Sequence, residues 1–163
     1  MHLPDLTLQT LQREPFRVRT EPPAPRLFLV YRCDCPGSAL VLPVAERLSR
    51  PLHARGLETI GVSQSDEEAT LDAINEHGLC FPQLLDVELE LTAALAIAVV
   101  PALLLFDADG ALVDRAEPSD APGCARVVAA AARLACADES ALERTLASFE
   151  LPASLPASPS RSL

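Results

Sequence analysis

The pattern of apolar positions predicts that a buried strand leads directly into a helix early in the chain. Residues 26–31 are apolar on both faces and too few for a helix, which indicates a strand covered on both sides of a sheet. The following segment, 39–55, carries Leu40, Val44 and Leu48 at helical spacing and so predicts an amphipathic helix. A strand that passes straight into a helix is typical of β-α-β units with parallel strands.

The same alternation of strand and helix continues in the middle of the chain. Residues 57–62 predict a second parallel strand, and Ser65 with Glu68 predicts a capping box for a helix that closes at His77 and Gly78. Further on, the pattern predicts a strand at 83–86, a helix at 88–96 and a strand at 99–106 that Pro101 interrupts. The chain is therefore expected to fold as an α/β domain.

Each end of the chain adds further elements to this core. Apolar positions alternate loosely on either side of residues 13–15, which predicts an N-terminal β-hairpin. Asp109 and Gly110 predict a hairpin turn into a strand at 111–115, so the last two strands are expected to be antiparallel. Closing helices are predicted at 122–135 and 140–149, the second with a capping box of Ser140 and Glu143.

Composition sets the domain size and excludes several classes of function. Residues 1–150 predict one domain, because 49% of the 163 residues are apolar, enough for a core. The Pro- and Ser-rich residues 151–163 lack periodicity and predict a flexible tail.

The net charge is -10 without a basic stripe, so no nucleic-acid partner is expected. All 13 basic residues are arginine, which excludes Schiff-base and P-loop chemistry, and no cofactor is expected.

The pattern shows neither a membrane span nor a secretion signal. The longest apolar stretch, 93–106, contains Pro101 and is shorter than a bilayer-spanning helix. The start of the chain lacks the basic residues and apolar core of a signal peptide. We therefore expect a cytoplasmic location without a membrane partner, or a periplasmic location if a leader was removed.

The five cysteines do not form a disulfide framework, because their number is odd and their spacing is wide. Cys35 is the candidate for chemistry, since Pro36 has the φ of a first helical residue and would make Cys35 the N-cap. Unpaired backbone N–H groups and the positive end of the helix dipole favour a thiolate there. Packing or incidental roles are expected for Cys80, Cys124 and Cys136.

The segment Cys35-Pro36-Gly37-Ser38 resembles the Cys-x-x-Cys motif of thioredoxin-like proteins, with serine in place of the second cysteine. Pro43 stands where the active-site helix of that superfamily carries a kinking proline, and Val100 with Pro101 resembles its cis-proline segment. The similarity runs from about residue 4 to residue 115 and is nearest to the TlpA and peroxiredoxin-like redoxin branch. It implies a thioredoxin-like α/β fold, with a central mixed β-sheet flanked by helices.

The resemblance implies a thiol-disulfide oxidoreductase in which the thiolate of Cys35 attacks a protein or small-molecule disulfide, with an unknown reductant. The residues implied to bind the substrate are Pro36, Ser38, Val100 and Pro101, the last two through a backbone edge that pairs with an extended chain. Serine cannot resolve a mixed disulfide, so Cys33 is either the resolving thiol or an inert strand-end residue. If residues 33–35 stay extended, the two cysteine side chains share a face, whereas a turn would bring them closer.

Two other classes of function stay open. A redoxin scaffold could bind a thiol ligand, a protein or a soft metal such as Cu(I) at Cys33 and Cys35 without turnover. A closed zinc site is not expected, because no second pair of ligands has suitable spacing. A peroxiredoxin-like thiol peroxidase, which would act as an antioxidant, is expected to show Pro-x-x-x-Thr/Ser-x-x-Cys. Arg32 stands in the Thr/Ser place, so peroxidase activity is the weaker enzymatic interpretation.

Overall fold

The computed structural model describes residues 1–19, 21–117, 121–149, 151–152 and 156–160, and within them the chain forms nine strands and five helices. The strands are β1 (Thr7–Thr10), β2 (Pro15–Arg17), β3 (Arg26–Tyr31), β4 (Glu58–Ser63), β5 (Gln83–Leu85), β6 (Val99–Val100), β7 (Ala102–Phe106), β8 (Leu112–Ala116) and β9 (Ser158–Pro159). The helices are α1 (Pro36–His53), α2 (Glu67–His77), α3 (Glu90–Ala94), α4 (Ala121–Leu134) and α5 (Glu139–Ala147). Of the predicted tail and its boundary, Glu150, 153–155 and 161–163 lie outside the described residues.

Seven strands form one mixed sheet in the order β2-β1-β5-β4-β3-β7-β8. β3, β4 and β5 are parallel neighbours, while β7 runs antiparallel to both β3 and β8. The N-terminal hairpin of β1 and β2 joins the sheet through an antiparallel contact of β1 with β5. The predicted mixed sheet, its N-terminal hairpin and the antiparallel pair of β7 and β8 are therefore confirmed.

The sheet separates two apolar cores, because neighbouring residues of a strand point to opposite faces. Along β3, Leu27, Leu29 and Tyr31 pack with residues of α1 and α4, and we call this side the α1 face. Phe28 and Val30 pack with residues of α3 on the other side, which we call the α3 face. All six residues of β3 are buried, as expected for a strand covered on both sides.

Two predicted helix caps are wrong by one or two residues. The N-cap of α2 is Asp66 rather than Ser65, and the N-cap of α5 is Asp138 rather than Ser140. In each helix the aspartate carboxylate accepts a hydrogen bond from the backbone N–H three residues on. Ser65 is used elsewhere, because its hydroxyl oxygen accepts a hydrogen bond from the backbone N–H of Cys33 at 3.0 Å.

The core face of α1 also differs by one position from the prediction. Val44 and Leu48 are buried as expected, but Leu40 is 41% exposed. Val41 takes its place, because it lies three residues before Val44 and seven before Leu48, on the same side of the helix. The helix begins at Pro36, directly after the loop that leaves β3.

Candidate active site

Cys35 lies at the point where the chain leaves β3 and enters α1. It is the N-cap residue, with φ -94° and ψ 119°, and Pro36 occupies the first helical position. The backbone oxygen of Cys35 accepts the first hydrogen bond of the helix, from the N–H of Ala39 at 3.2 Å. The predicted places of Cys35 and Pro36 at the helix start are therefore confirmed.

The segment around Pro101 lies beside this helix start. The peptide bond between Val100 and Pro101 is cis, as the resemblance implied. The thiol of Cys35 donates to the carbonyl oxygen of Val100, with Sγ and oxygen 3.5 Å apart. A Cβ added to Gly37 would lie 3.2 Å from Cδ of Pro101, so the helix start and the proline ring are in close contact. The fold thus brings together residues that are far apart in the sequence.

The surroundings of Cys35 lower the pKa of its thiol. Cys35 is 1% exposed, and burial by itself raises the pKa. Hydrogen bonds outweigh burial, because the hydroxyls of Ser158 and Ser38 and the backbone N–H groups of Ser38 and Gly37 all favour the thiolate. The pKa therefore lies below that of an ordinary cysteine, and a larger fraction of the thiol is ionised near neutral pH.

Cys33 lies on the other side of the sheet. It packs against the α1 face, with Sγ 3.9 Å from the hydroxyl oxygen of Ser63, whereas Cys35 packs on the α3 face. A turn at residues 33–34 causes this change of side, and the N–H of Cys35 donates to the carbonyl oxygen of Arg32 at 3.2 Å. Both thiols are free. The backbone is therefore not extended here, and the turn directs the two side chains to opposite faces of the sheet.

Arg32 and Asp34 flank Cys33 and bind each other. Nε of Arg32 donates to Oδ1 of Asp34 at 2.8 Å, and this pairing raises the pKa of Arg32. The backbone N–H of Arg32 donates to the hydroxyl oxygen of Ser38 at 3.4 Å. Because Ser38 also donates to the sulfur of Cys35, one hydrogen-bonded unit connects the loop, the helix and the thiol.

The site also contains residues that the sequence did not single out. The two residues of β9 pair antiparallel with the two residues of β6. Nη1 of Arg32 donates to the carbonyl oxygen of Pro159 at 2.8 Å, and Nε2 of Gln64 donates to the hydroxyl oxygen of Ser160 at 2.9 Å. The place of residues 158–160 in the site was not predicted, because the end of the chain has no periodicity. Gln64 could have been found, because it follows β4 at the sheet edge where the neighbouring parallel strand β3 also ends.

Metal ligands, the remaining cysteines and membrane-spanning helices can each be located in the described part of the chain. Among its residues, no group of three His, Cys, Asp or Glu side chains could hold a metal ion. Cys124 is buried on the α1 face, whereas Cys80 and Cys136 are exposed. No helix in the described ranges has the length and the apolar character needed to cross a membrane.

Sequence comparisons connect the chain to one family. A family model described as AhpC/TSA family matches residues 1–115, which is most of the chain. A search of curated proteins finds no match. The matched residues include β1 to β8 except the last residue of β8, and with them α1 and the segment around Pro101.

Solved structures share the fold. A secreted disulfide oxidoreductase of Mycobacterium tuberculosis, homologous to E. coli DsbE, is 18% identical, with a TM-score of 0.63 over 88% of this chain and 96% of that chain. A thiol-disulfide oxidoreductase of Bacteroides fragilis is 20% identical, with a TM-score of 0.65 over 71% and 89%. The bacterioferritin comigratory protein of Xanthomonas campestris, which has alkyl peroxide reduction activity, is 20% identical, with a TM-score of 0.71 over 83% and 98%. The predicted thioredoxin-like fold is therefore confirmed.

Proposed function

The chain belongs to the AhpC/TSA family, and we propose that it is a thiol-disulfide oxidoreductase whose nucleophile is Cys35. The observation that supports this most is the place of the Cys35 thiol at the N-terminus of α1, opposite the carbonyl oxygen of Val100, where hydrogen bonds from Ser38 and Gly37 lower its pKa. The thiolate is the form that attacks a disulfide, so a lowered pKa increases the reactive fraction near neutral pH. The substrate-binding residues of the proposal are Pro36, Ser38, Val100 and Pro101.

The exchange begins when the Cys35 thiolate attacks one sulfur of the substrate disulfide. A bond forms between Sγ and that sulfur, the substrate S–S bond breaks, and the second sulfur leaves as a thiolate that takes a proton from solvent. An external thiolate then attacks Sγ, and the first substrate sulfur leaves in the same way. A second external thiolate attacks the sulfur of the first and releases Cys35. The substrate is reduced to two thiols, and the two external thiols are oxidised to a disulfide.

An external thiol is proposed because, among the described residues, no second cysteine packs with Cys35 on the α3 face. Ser38 occupies the place of the second cysteine and has no redox chemistry. Cys33 packs on the opposite face of the sheet, near Ser63, and both thiols are free. Cys33 as the resolving thiol stays a prediction that the following experiment tests.

The experiment measures the reduction of a peptide disulfide by an external thiol with the wild-type chain and two serine variants. We expect Cys35→Ser to lower the rate to that of the uncatalysed exchange, because no sulfur remains to form the mixed disulfide. The matched control, Cys33→Ser, should keep about half of the rate or more, since Cys33 takes no part in the proposed exchange. Equal loss in both variants would show a dithiol pair and contradict the external-thiol mechanism. Undiminished activity of Cys35→Ser would contradict the whole proposal.

The same variants separate the two alternatives. Consumption of hydrogen peroxide that depends on Cys35 and is faster than disulfide reduction would indicate a thiol peroxidase. Stoichiometric binding of Cu(I) or of a thiol without turnover would indicate a binding protein. Disulfide exchange is preferred because Arg32 stands where the peroxidase signature has threonine or serine. The cytoplasmic location stays a prediction.

A further inference from the structure

Residues 156–160 lie along β6 as an added strand. β9 pairs with β6, and the backbone N–H of Ser160 extends this contact by donating to the carbonyl oxygen of Ala98 at 2.8 Å. Extended peptides bind exposed sheet edges in the same way, through main-chain hydrogen bonds. The chain therefore fills, with its own residues, the backbone edge that we propose for the substrate.

The same segment covers the thiol of Cys35. The carbonyl oxygen of Pro156 lies 3.9 Å from Sγ, and the hydroxyl of Ser158 forms a hydrogen bond with Sγ. The contact is close at Gly37 as well, where an added Cβ would collide with the carbonyl oxygen of Pro156. Cys35 is left 1% exposed, so a substrate cannot reach the sulfur while the segment is in place.

Two side chains from the domain hold the end of the segment. Nη1 of Arg32 donates to a backbone carbonyl of the segment at 2.8 Å. The amide of Gln64, which is 0% exposed, donates to the hydroxyl oxygens of Ser160 and Thr92, both at 2.9 Å. The hydroxyl of Thr92 in turn donates to the buried carboxylate of Asp86 at 2.6 Å. Because buried polar groups are costly when unpaired, this chain of contacts sets the direction of the Gln64 amide.

We propose that residues 156–160 act as a pseudosubstrate, an internal competitor that holds the place of an extended polypeptide beside Cys35. The inference rests on the proposed function, because it assigns the substrate class and the regulation of the same site. The substrate class is a disulfide in an extended polypeptide segment, since only such a segment can replace the main-chain hydrogen bonds between β9 and β6. A small disulfide cannot replace these main-chain hydrogen bonds, so it cannot displace the segment that covers the sulfur of Cys35.

The segment is held weakly enough to be displaced. Pro156, Ala157 and Pro159 are exposed, and the segment contributes no large apolar side chain. Hydrogen bonds of the kind that hold it each favour the docked state by a factor of about 2 to 12. Tethering gives the segment an effective concentration on the order of millimolar, which a polypeptide substrate has to overcome by affinity or by concentration.

The test compares the alkylation of Cys35 by iodoacetamide in the full chain and in a chain cut after Pro152, read out by peptide mass spectrometry. At high pH the thiol is fully ionised in both chains, so the rate reports access alone. We expect the cut chain to react about tenfold faster or more, because several hydrogen bonds hold the segment over the sulfur. A chain cut after Ser160 is the matched control, and it should react like the full chain because residues 156–160 are kept.

Two substitutions within the segment provide a second test in chains of full length. Ser160→Pro removes the backbone N–H that donates to Ala98, so alkylation should become nearly as fast as in the cut chain. Ser160→Ala keeps this N–H and loses only the hydroxyl contact with Gln64, so its increase should be smaller. A synthetic peptide of residues 156–160, added to the cut chain at millimolar concentration, should slow the reaction again.

Equal alkylation rates in the full chain and in the chain cut after Pro152 would overturn the inference. Protection that increases with protein concentration would place the segment on a second copy and would overturn the internal contact. Failure of the proposed function gives a different result, because the cut chain would then react rapidly with iodoacetamide but would reduce no peptide disulfide. With both proposals correct, the cut should speed reduction of a small disulfide more than that of an extended peptide disulfide present at a concentration that displaces the segment.

Discussion

Two cysteines that are two residues apart have opposite surroundings in this protein. Cys35 packs on the α3 face, at a helix N-terminus, beside the carbonyl oxygen of Val100. Cys33 packs against the α1 face, near the hydroxyl of Ser63. A single turn at residues 33–34 separates these environments. Closeness in sequence therefore does not make two thiols a redox pair, because the backbone direction between them decides which sulfur meets which group.

A disulfide between Cys33 and Cys35 would contradict the conclusion that the two thiols lie in separate environments. In the chain cut after Pro152, we expect a small disulfide reagent to leave one mixed disulfide on Cys35 and a free thiol on Cys33, because they pack on opposite faces. Mass spectrometry of the alkylated protein, before and after reduction, distinguishes the two products. A mixed disulfide adds the mass of the reagent, whereas a disulfide between Cys33 and Cys35 lowers the mass by two hydrogens. Cys33→Ser is the control and should form the same adduct. A bridged peptide as the main product would show that the turn rearranges.

The surroundings of Cys33 should matter for stability. The buried Ser63 hydroxyl oxygen accepts hydrogen bonds from the Thr70 hydroxyl at 2.8 Å and from the Ser65 N–H at 3.2 Å. We expect Ser63→Ala to lower the free energy of unfolding by about 1 to 3 kcal/mol, because the buried N–H loses its acceptor. Urea unfolding measures this change. Ser49→Ala is the control, and it should cost clearly less because the Ser49 hydroxyl donates to the carbonyl oxygen of Glu46 within its own helix.

The surroundings of Cys35 should matter for its ionisation. Ser38→Ala removes a hydroxyl that donates to Sγ, so the pKa of Cys35 should rise and the thiolate fraction at neutral pH should fall. Ultraviolet absorbance of the thiolate as a function of pH measures the pKa. Ser49→Ala, on the same helix, should leave it unchanged. A pKa that does not move in Ser38→Ala would mean that the helix N-terminus and Ser158 are sufficient for the shift.

The smallest expected effect is a dependence of stability on pH. The pKa of Cys35 is lower in the folded chain than in the unfolded chain, where a cysteine thiol titrates at about 8.5. The resulting stabilisation is complete above that value and is lost as the pH falls through the folded pKa. The difference in unfolding free energy between the wild type and Cys35→Ser should therefore grow as the pH rises and then level off. A difference that shrinks with rising pH would contradict the lowered pKa.

Local sequence patterns predicted the helix ends correctly where a few neighbouring residues determine them. Pro36 after a buried strand identified the helix start and the N-cap, and Gly78 ends α2 with a positive φ of 63° as its position predicted. The predictions of the N-caps were wrong where several side chains that can accept the capping hydrogen bond lie within a few residues of each other. Asp66 takes the cap while Ser65 binds the backbone of Cys33, a contact that no local pattern contains.

The order of β1 to β8 with their helices and the helix start at Cys35 were determined by the sequence alone, because periodicity and proline geometry act within a few residues. The cis bond at Pro101 was implied by the family resemblance. Tertiary structure decided the rest. The opposite faces of Cys33 and Cys35 depend on a turn that packing selects, and the docking of Pro159 depends on Arg32, which lies 127 positions earlier. A segment without periodicity can find its place only when distant elements have formed the groups that bind it, and this is the physical reason why the pattern predicted only a tail.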